Sequence, residues 1–293
     1  RVSPQVVALI WLRNEADFEE RGFTQLDLLL GLHWLTTNCT MDQLGTFWRL
    51  PRSSADSTLK HALLILWDVL DEINWQKLRW HKDEYLAPPG NLFNGVTFCL
   101  DGIECGIAKP IDRADEIVWY SDKKGQHSVK YETCTHISSG RIMWVAGGIP
   151  GSIHDITLTY ASGLMDHVPV GEKGLVDSGY EGLPPQTFLR ILKSETKMEG
   201  HFAYIPSFTL EEHLYNRFLA SQRIEIERVN GRLKRFQILW RYRMRDRFLH
   251  HMIFEVICNV VNIQMELELE PMRKEIHPIL LHCPATRPER SLR

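Results

Sequence analysis

The spacing of apolar residues changes character twice along the chain. Between residues 25 and 80 it follows the helical period. In TQLDLLLGLHWL the residues Leu26, Leu29, Leu30, Leu32 and Leu35 make one wide stripe. Thr40 then precedes a short segment, MDQLGTFW, which Leu50-Pro51-Arg52 breaks. Ser53 or Ser54 caps a longer helix over ADSTLKHALLILWDVLDEI. From Val96 the period becomes that of strands. VTFCLDG is a short apolar run, and HSVKYETCTHI alternates with Val129, Tyr131, Thr133 and Thr135 on one face. A Ser-Ser-Gly turn leads into RIMWVAGG, KGLVDSGY predicts a fourth strand, and HFAYIP a fifth. Helices are predicted over ITLTYASGLMDHV and over PPQTFLRILKS at 184–194. Two longer helices follow, around 209–236 and 245–266.

This order predicts an α/β fold: a mixed five-stranded sheet, meandering first and crossing over later, flanked by helices. Three segments are expected. Residues 1–86 form an N-terminal helical region whose helix, short helix, turn and longer helix outline a helix-turn-helix unit, or equally a plain bundle. Residues 87–267, opening on the linker-like APPGNLFNG, form the main domain. Residues 268–293, charged and with four prolines, form a loosely held tail.

Composition narrows the classes. At 44% apolar residues over 293 positions, a sizeable core is expected and global disorder is excluded. A net charge of −3 does not advertise nucleic-acid binding, so any such contact needs local basic patches. Six scattered cysteines without a CxxC pair argue against a zinc site or a disulfide framework and predict reduced thiols. No apolar run reaches the roughly 20 residues of a membrane span.

Candidate chemistry centres on carboxylates. Asp101 ends the first predicted strand. Asp155 follows the flexible turn of GGIPGSIHDITL, after the third. A buried carboxylate pair repels, and a hard divalent cation resolves that conflict. A third acid is available in SQRIEIERVNGRLKRF, where Arg223, Glu227 and Gly231 recur at one helical face with Lys234 just beyond. Glu225 lies about 200° round that helix from Glu227 and serves another face. Gly231 costs about 1 kcal/mol relative to Ala there, which predicts a close approach of backbone or ligand. Each acid also has an ordinary reading: Asp155 as a helix cap, Arg223 with Glu227 as an i,i+4 pair, and Asp101 in a turn with Gly102.

Basic residues gather in RVNGRLKRFQILWRYRMRDR, where Arg232, Lys234 and Arg235, together with Arg223, are candidate contacts for an anionic partner. The interleaved Phe236, Trp240 and Tyr242 are read as core. Lys123, Lys124 and Lys130 form a second patch, with His127 and His154 as further phosphate contacts. In the helical region, Arg52 and Lys60 lie near the start of the second long helix, although residues 1–90 are more acidic than basic.

The ordered blocks LDGIECGIAKP, YSDKKGQHSVKYETCTHISSGRIMWVAGGIPGSIHD, LVDSGYEG and RIEIERVNGRLKRF resemble the DDE superfamily endonucleases, and more closely the PIF/Harbinger transposases related to the IS5 type. The resemblance spans about 93–262. It implies an RNase H-like catalytic core in which Asp101, Asp155 and Glu227 hold two Mg²⁺ or Mn²⁺ ions. Asp177 of the Val-Asp-Ser-Gly-Tyr block is read as supporting structure and as the substitute if one acid is misassigned. At Val229-Asn230 the chain departs from the commoner pattern, in which an aromatic residue precedes the glycine.

The implied reaction is two-metal phosphoryl transfer, cutting transposon ends and joining them to target DNA. The implied partners are double-stranded DNA, a second copy in a homodimer and a Myb-like DNA-binding protein, with no membrane contact. The implied location is the nucleus in a eukaryote, otherwise the cytoplasm or nucleoid. The rival readings are a domesticated relative that binds DNA without transposing and a plain metal-dependent nuclease.

Overall fold

The structure, a computed structural model, describes residues 2–75, 94–137, 139–192, 197–199, 202–204, 208–244 and 246–269. Its helices start where side chains can accept orphan amides. Ser3 caps α1 (Pro4–Glu20), its Oγ accepting from Val6 N at 3.4 Å. Reciprocal capping boxes open α2 (Gln25–Thr37) with Thr24 and Asp27, and α3 (Met41–Trp48) with Thr40 and Gln43. Each cap is worth about 1 kcal/mol. The next helix, α4 (Arg52–Val69), starts directly after Pro51 with no side-chain cap, so neither Ser53 nor Ser54 is its cap.

The sheet region runs β1 (Val96–Gly106), α5 (Arg113–Trp119), β2 (Tyr120–Ser121), β3 (Gln126–His136), β4 (Ile142–Pro150), α6 (Asp155–Ala161), α7 (Leu164–His167), β5 (Lys173–Val176) and β6 (Phe188–Arg190). A separate hairpin pairs β7 (Lys197–Glu199) with β8 (Phe202–Tyr204). Two long helices, α8 (Leu210–Leu233) and α9 (Arg247–Leu269), follow. In the main sheet β4, β3 and β1 form an antiparallel meander, and β5 then β6 continue parallel to β1. The two-residue β2 extends the sheet alongside the start of β3. The result is a curled mixed sheet of five main strands, β4-β3-β1-β5-β6, flanked by helices.

Both faces of the sheet are covered. Cys99, Leu175 and Leu189 pack under Tyr215, Leu219 and Ile226 of α8. Phe98, Leu100, Val176 and Phe188 pack on the opposite face, with Leu164 of α7. A third apolar cluster joins Ile103 and Tyr131 to Phe254 and Ile257 of α9 and to Phe18, Leu35, Leu44 and Leu59 of α1–α4. The N-terminal helices therefore share one core with the sheet and α9, each large buried side chain worth about 1.5–3 kcal/mol. Arg13 reinforces this with two bonds to Glu266, at 3.1 and 2.8 Å.

Three local expectations change. Of the helix expected over 184–194, the described residues 184–192 form none: Phe188–Arg190 is strand β6, because Phe188 and Leu189 face opposite sides of the sheet and enter different clusters. The HFAYIP strand belongs to the β7–β8 hairpin, outside the main sheet. The helix after Asp155 breaks at Gly163, whose φ is +77°. Most of the expected linker lies outside the described residues, as does the tail beyond Leu269; Glu268 itself belongs to α9. No helix among the described residues is long and apolar enough to cross a membrane.

Candidate active site

Strand β1 sends alternate side chains to opposite faces, and this divides the predicted carboxylates. Cys99 faces α8, so Asp101 does too. Asn230 Nδ2 of α8 donates to Asp101 Oδ2 at 2.8 Å, and Arg223 Nη2 stands 3.7 Å from Oδ1. Burial pushes the Asp101 carboxyl up to about 6. Arg223 opposes the rise, while the Asp177 and then the Asp155 carboxylates add to it.

Asp155 reaches the sheet from the other side. Its flexible turn is largely strand: β4 continues through Gly147–Pro150, bulged where Gly147 (φ +130°) lies against Lys130 and Tyr131. Asp155 is the first residue of α6 and His154 is the cap position, so Asp155 is not the helix cap. Its carboxylate lies over Gly102. A Cβ placed on Gly102 would come within 2.8 Å of Asp155 Oδ1 and 3.5 Å of the Tyr180 hydroxyl. Lys130 Nζ holds Asp155 Oδ1 at 2.9 Å, with Lys123 3.9 Å from Oδ2.

Asp177 comes level with Asp101. The β1/β5 register pairs Phe98 with Gly174 and Cys99 with Leu175. Carried two residues on, it sets Asp101 level with Asp177. Leu175 shares the α8-side cluster with Cys99, and Val176 the opposite cluster with Leu100, so the alternation brings Asp177 back to the side of Asp101. Asp177 Oδ1 accepts from Gly179 N at 2.6 Å.

Glu227 lies on the stripe of α8 between Arg223 and Asn230, the two residues that touch Asp101. It is exposed. Among the described residues, no group of three His, Cys, Asp or Glu side chains is placed to hold a metal ion. The available donors near Asp101 are oxygens, which suits a hard cation such as Mg²⁺ or Mn²⁺ rather than a thiolate-seeking metal.

The basic candidates separate by burial. Lys130 is 4% and Arg223 5% exposed. Their charges face Asp155 and Asp101. Lys123 and Lys124 are exposed beside Asp155, as are Lys234 and Arg235 after α8. Arg232 is paired with Glu268 at 2.8 Å, Arg52 with Asp42 at 2.7 Å and Lys60 with Asp56 at 2.7 Å. His127 is half-buried against the edge of Tyr120. Phe236 and Tyr242 are core as expected, but Trp240 is 63% exposed. Among the described residues nothing outside its own helix comes within 4 Å of a Cβ on Gly231, so no close approach of protein backbone explains that glycine.

Four neighbours escaped the sequence reading. Asn230 bonds Asp101, and its signal was its departure from the commoner pattern. Glu104 stands 3.8 Å from Lys130, directly across the β1/β3 ladder. Glu132 is buried opposite Gly102 and accepts from Ser162 Oγ at 3.2 Å and from Thr159. Burial pushes its carboxyl up to about 7, with Asp155 adding to the rise against those hydroxyl bonds. The buried Tyr180 hydroxyl has no hydrogen-bond partner among the described residues.

An aspartate in the middle of β1 gripped by a long helix, with a second aspartate level with it just past the end of the next parallel strand, is an arrangement suited to divalent-ion chemistry. Residues 100–263 match the model of the DDE superfamily endonuclease family, and the chain belongs to that family. Its members generally use divalent metal ions. The chain is also similar to the "Probable transposase for insertion sequence element IS702" of Microchaete diplosiphon, at 33% identity over 149 residues. Those residues are 50% of each sequence, so the match spans about half the length of that relative. No solved structure matches.

Proposed function

We propose that this chain is a transposase-type DNA endonuclease whose divalent ion is held by Asp101 and Asp177, with Glu227 presented by α8. The carrying observation is that Asp101 of β1, under the Arg223–Asn230 face of α8, stands level with Asp177 just past the end of the parallel β5. The strand order β4-β3-β1-β5-β6, with the first three antiparallel and the last two parallel to β1, supports an RNase H-like core. The α2–α3–α4 arrangement supports a helix-turn-helix-like reading of the N-terminal region.

A divalent ion bound there would supply positive charge to a phosphodiester during in-line displacement. The protein's part is orientation and charge. Asn230 and Arg223 fix Asp101, while the exposed Lys123, Lys124, Lys234 and Arg235 offer phosphate contacts. Asp155 becomes a positioning residue, tied by Lys130 beneath the site. Joining of cut ends to target DNA, two ions per site and a homodimer belong to the same proposal.

The placement of Glu227, exposed and in no group of three acids placed to hold a metal ion among the described residues, favours a second reading. A relative that binds DNA without cutting would keep the fold and need no assembled acid set. A nicking assay on supercoiled plasmid with Mg²⁺ or Mn²⁺ separates the two. The nuclease reading expects nicking that chelator abolishes and that Asp101→Asn and Asp177→Asn lower by about 100-fold or more. Nicking by Asp101→Asn at the wild-type rate would sink it.

A further inference from the structure

Asn230 lies in the last turn of α8, is 8% exposed, and is turned toward the carboxylates. Its Nδ2 donates to Asp101 Oδ2 at 2.8 Å, while Arg223 Nη2 stands 3.7 Å from Oδ1. The two side chains are seven residues apart, so they share one stripe of the helix and address the two oxygens of one carboxylate separately. The other end of each group is unmatched. Asn230 Oδ1 and Arg223 Nη1 are buried with no hydrogen-bond partner among the described residues. Burying an amide with one end unsatisfied is unfavourable, and asparagine is a poor helix former. Helix formation and packing therefore give no reason for Asn at this position. A neutral oxygen beside a carboxylate does have a use: hard cations accept amide oxygens, directly or through their waters.

We propose that Asn230 is a positioning residue of the carboxylate site. Its N–H fixes the orientation of Asp101, and its free oxygen is offered to the hydration shell of the divalent ion. A second aspartate here would add repulsion to a carboxyl already crowded by Asp177 and Asp155; the amide orients without adding charge. The inference rests on the reading that Asp101 holds the ion.

The test is Mn²⁺ binding to the full chain without DNA, followed by electron paramagnetic resonance, for the wild type, Asp101→Asn and Asn230→Leu. Metal-free melting is recorded for each, so that a merely structural loss is seen separately. Asn230→Leu is expected to weaken Mn²⁺ binding about 10–100-fold, as loss of a residue orienting a metal ligand does. Asp101→Asn should weaken it further. If leucine prevents folding, Asn230→Ser, too short to span the contact, carries the same comparison. Binding by the Asn230 variants equal to wild type, with Asp101→Asn impaired, overturns this inference and leaves the metal site standing. Absence of Mn²⁺ binding by the wild type, or equal binding by Asp101→Asn, overturns the metal-site reading and this inference with it.

Discussion

Lys130 Nζ stands 2.9 Å from Asp155 Oδ1, and only 5% of the lysine side chain is exposed. The pair ties the middle of the sheet to the start of α6. Glu104 faces the same ammonium at 3.8 Å. One buried cation thus balances two carboxylates from two different elements.

Removing that cation leaves Asp155 facing the exposed Lys123 and Glu104 bonded to the neutral Ser128 hydroxyl. Lys130→Met is expected to lower stability by about 3 kcal/mol, as loss of one member of a buried pair does. Lys124→Ala, at an exposed position nearby, should change it by less than about 0.5 kcal/mol. Urea midpoints at constant m compare the two. Equal midpoints for the two variants would show that the ion pair does not anchor α6.

Gly102 is required by close approach. A methyl there meets Asp155 Oδ1 at 2.8 Å, and Lys130 prevents that carboxylate from swinging away freely. Gly102→Ala should cost about 1–3 kcal/mol through overpacking. Thermal melting would check it, and an unchanged midpoint would mean that Asp155 yields without cost.

Glu132 predicts a pH dependence. Its folded carboxyl titrates at about 7, against an ordinary value of 4.5. With the folded value raised, its contribution to stability is full below pH 4.5 and is lost as pH rises through 7. Glu132→Gln removes that loss while keeping an acceptor for Thr159 and Ser162. The variant should match wild type near pH 4 and exceed it above pH 7, by at most about 3 kcal/mol. Denaturation at pH 4 and pH 8 tests the sign; a variant less stable at pH 8 than at pH 4, relative to wild type, contradicts it.

Divalent ions should stabilise the chain. At a concentration about 100 times Kd the gain is about 2.7 kcal/mol. Melting with and without Mn²⁺ should show this gain in wild type and in Asp155→Asn, but not in Asp101→Asn or Asp177→Asn. Loss of the shift in Asp155→Asn alone would return Asp155 to the ligand set and remove Asp177 from it.

The shared core of α1–α4, α9 and the sheet predicts one cooperative unit. Phe18→Ala, at a site with 0% exposure, should cost about 3–5 kcal/mol. Hydrogen exchange of the amides in α9 should accelerate along with those in α1. Acceleration confined to α1 would mark the N-terminal helices as a separately folding body.

The sequence by itself determined the elements and the kind of chemistry. A short apolar run located β1, alternation located β3, a turn signal located β4 and Thr40 located the start of α3, because these signals act over a few residues. The ordered acidic and basic blocks pointed to the DDE endonucleases, and the stripe carrying Arg223 and Glu227 was readable from helical spacing. Tertiary structure decided which acids meet. Only the pairing of β5 beside β1 sets Asp177 level with Asp101, and only the pleat sends Asp155 to Gly102 on the other face. Lys130 looked like a surface cation until packing enclosed it, and Phe188–Leu189 looked helical until opposite faces of the sheet claimed one residue each. Separation along the chain carries no distance between strands. That distance is fixed by which faces the sheet must bury, and the charges then take the partners that burial leaves within reach.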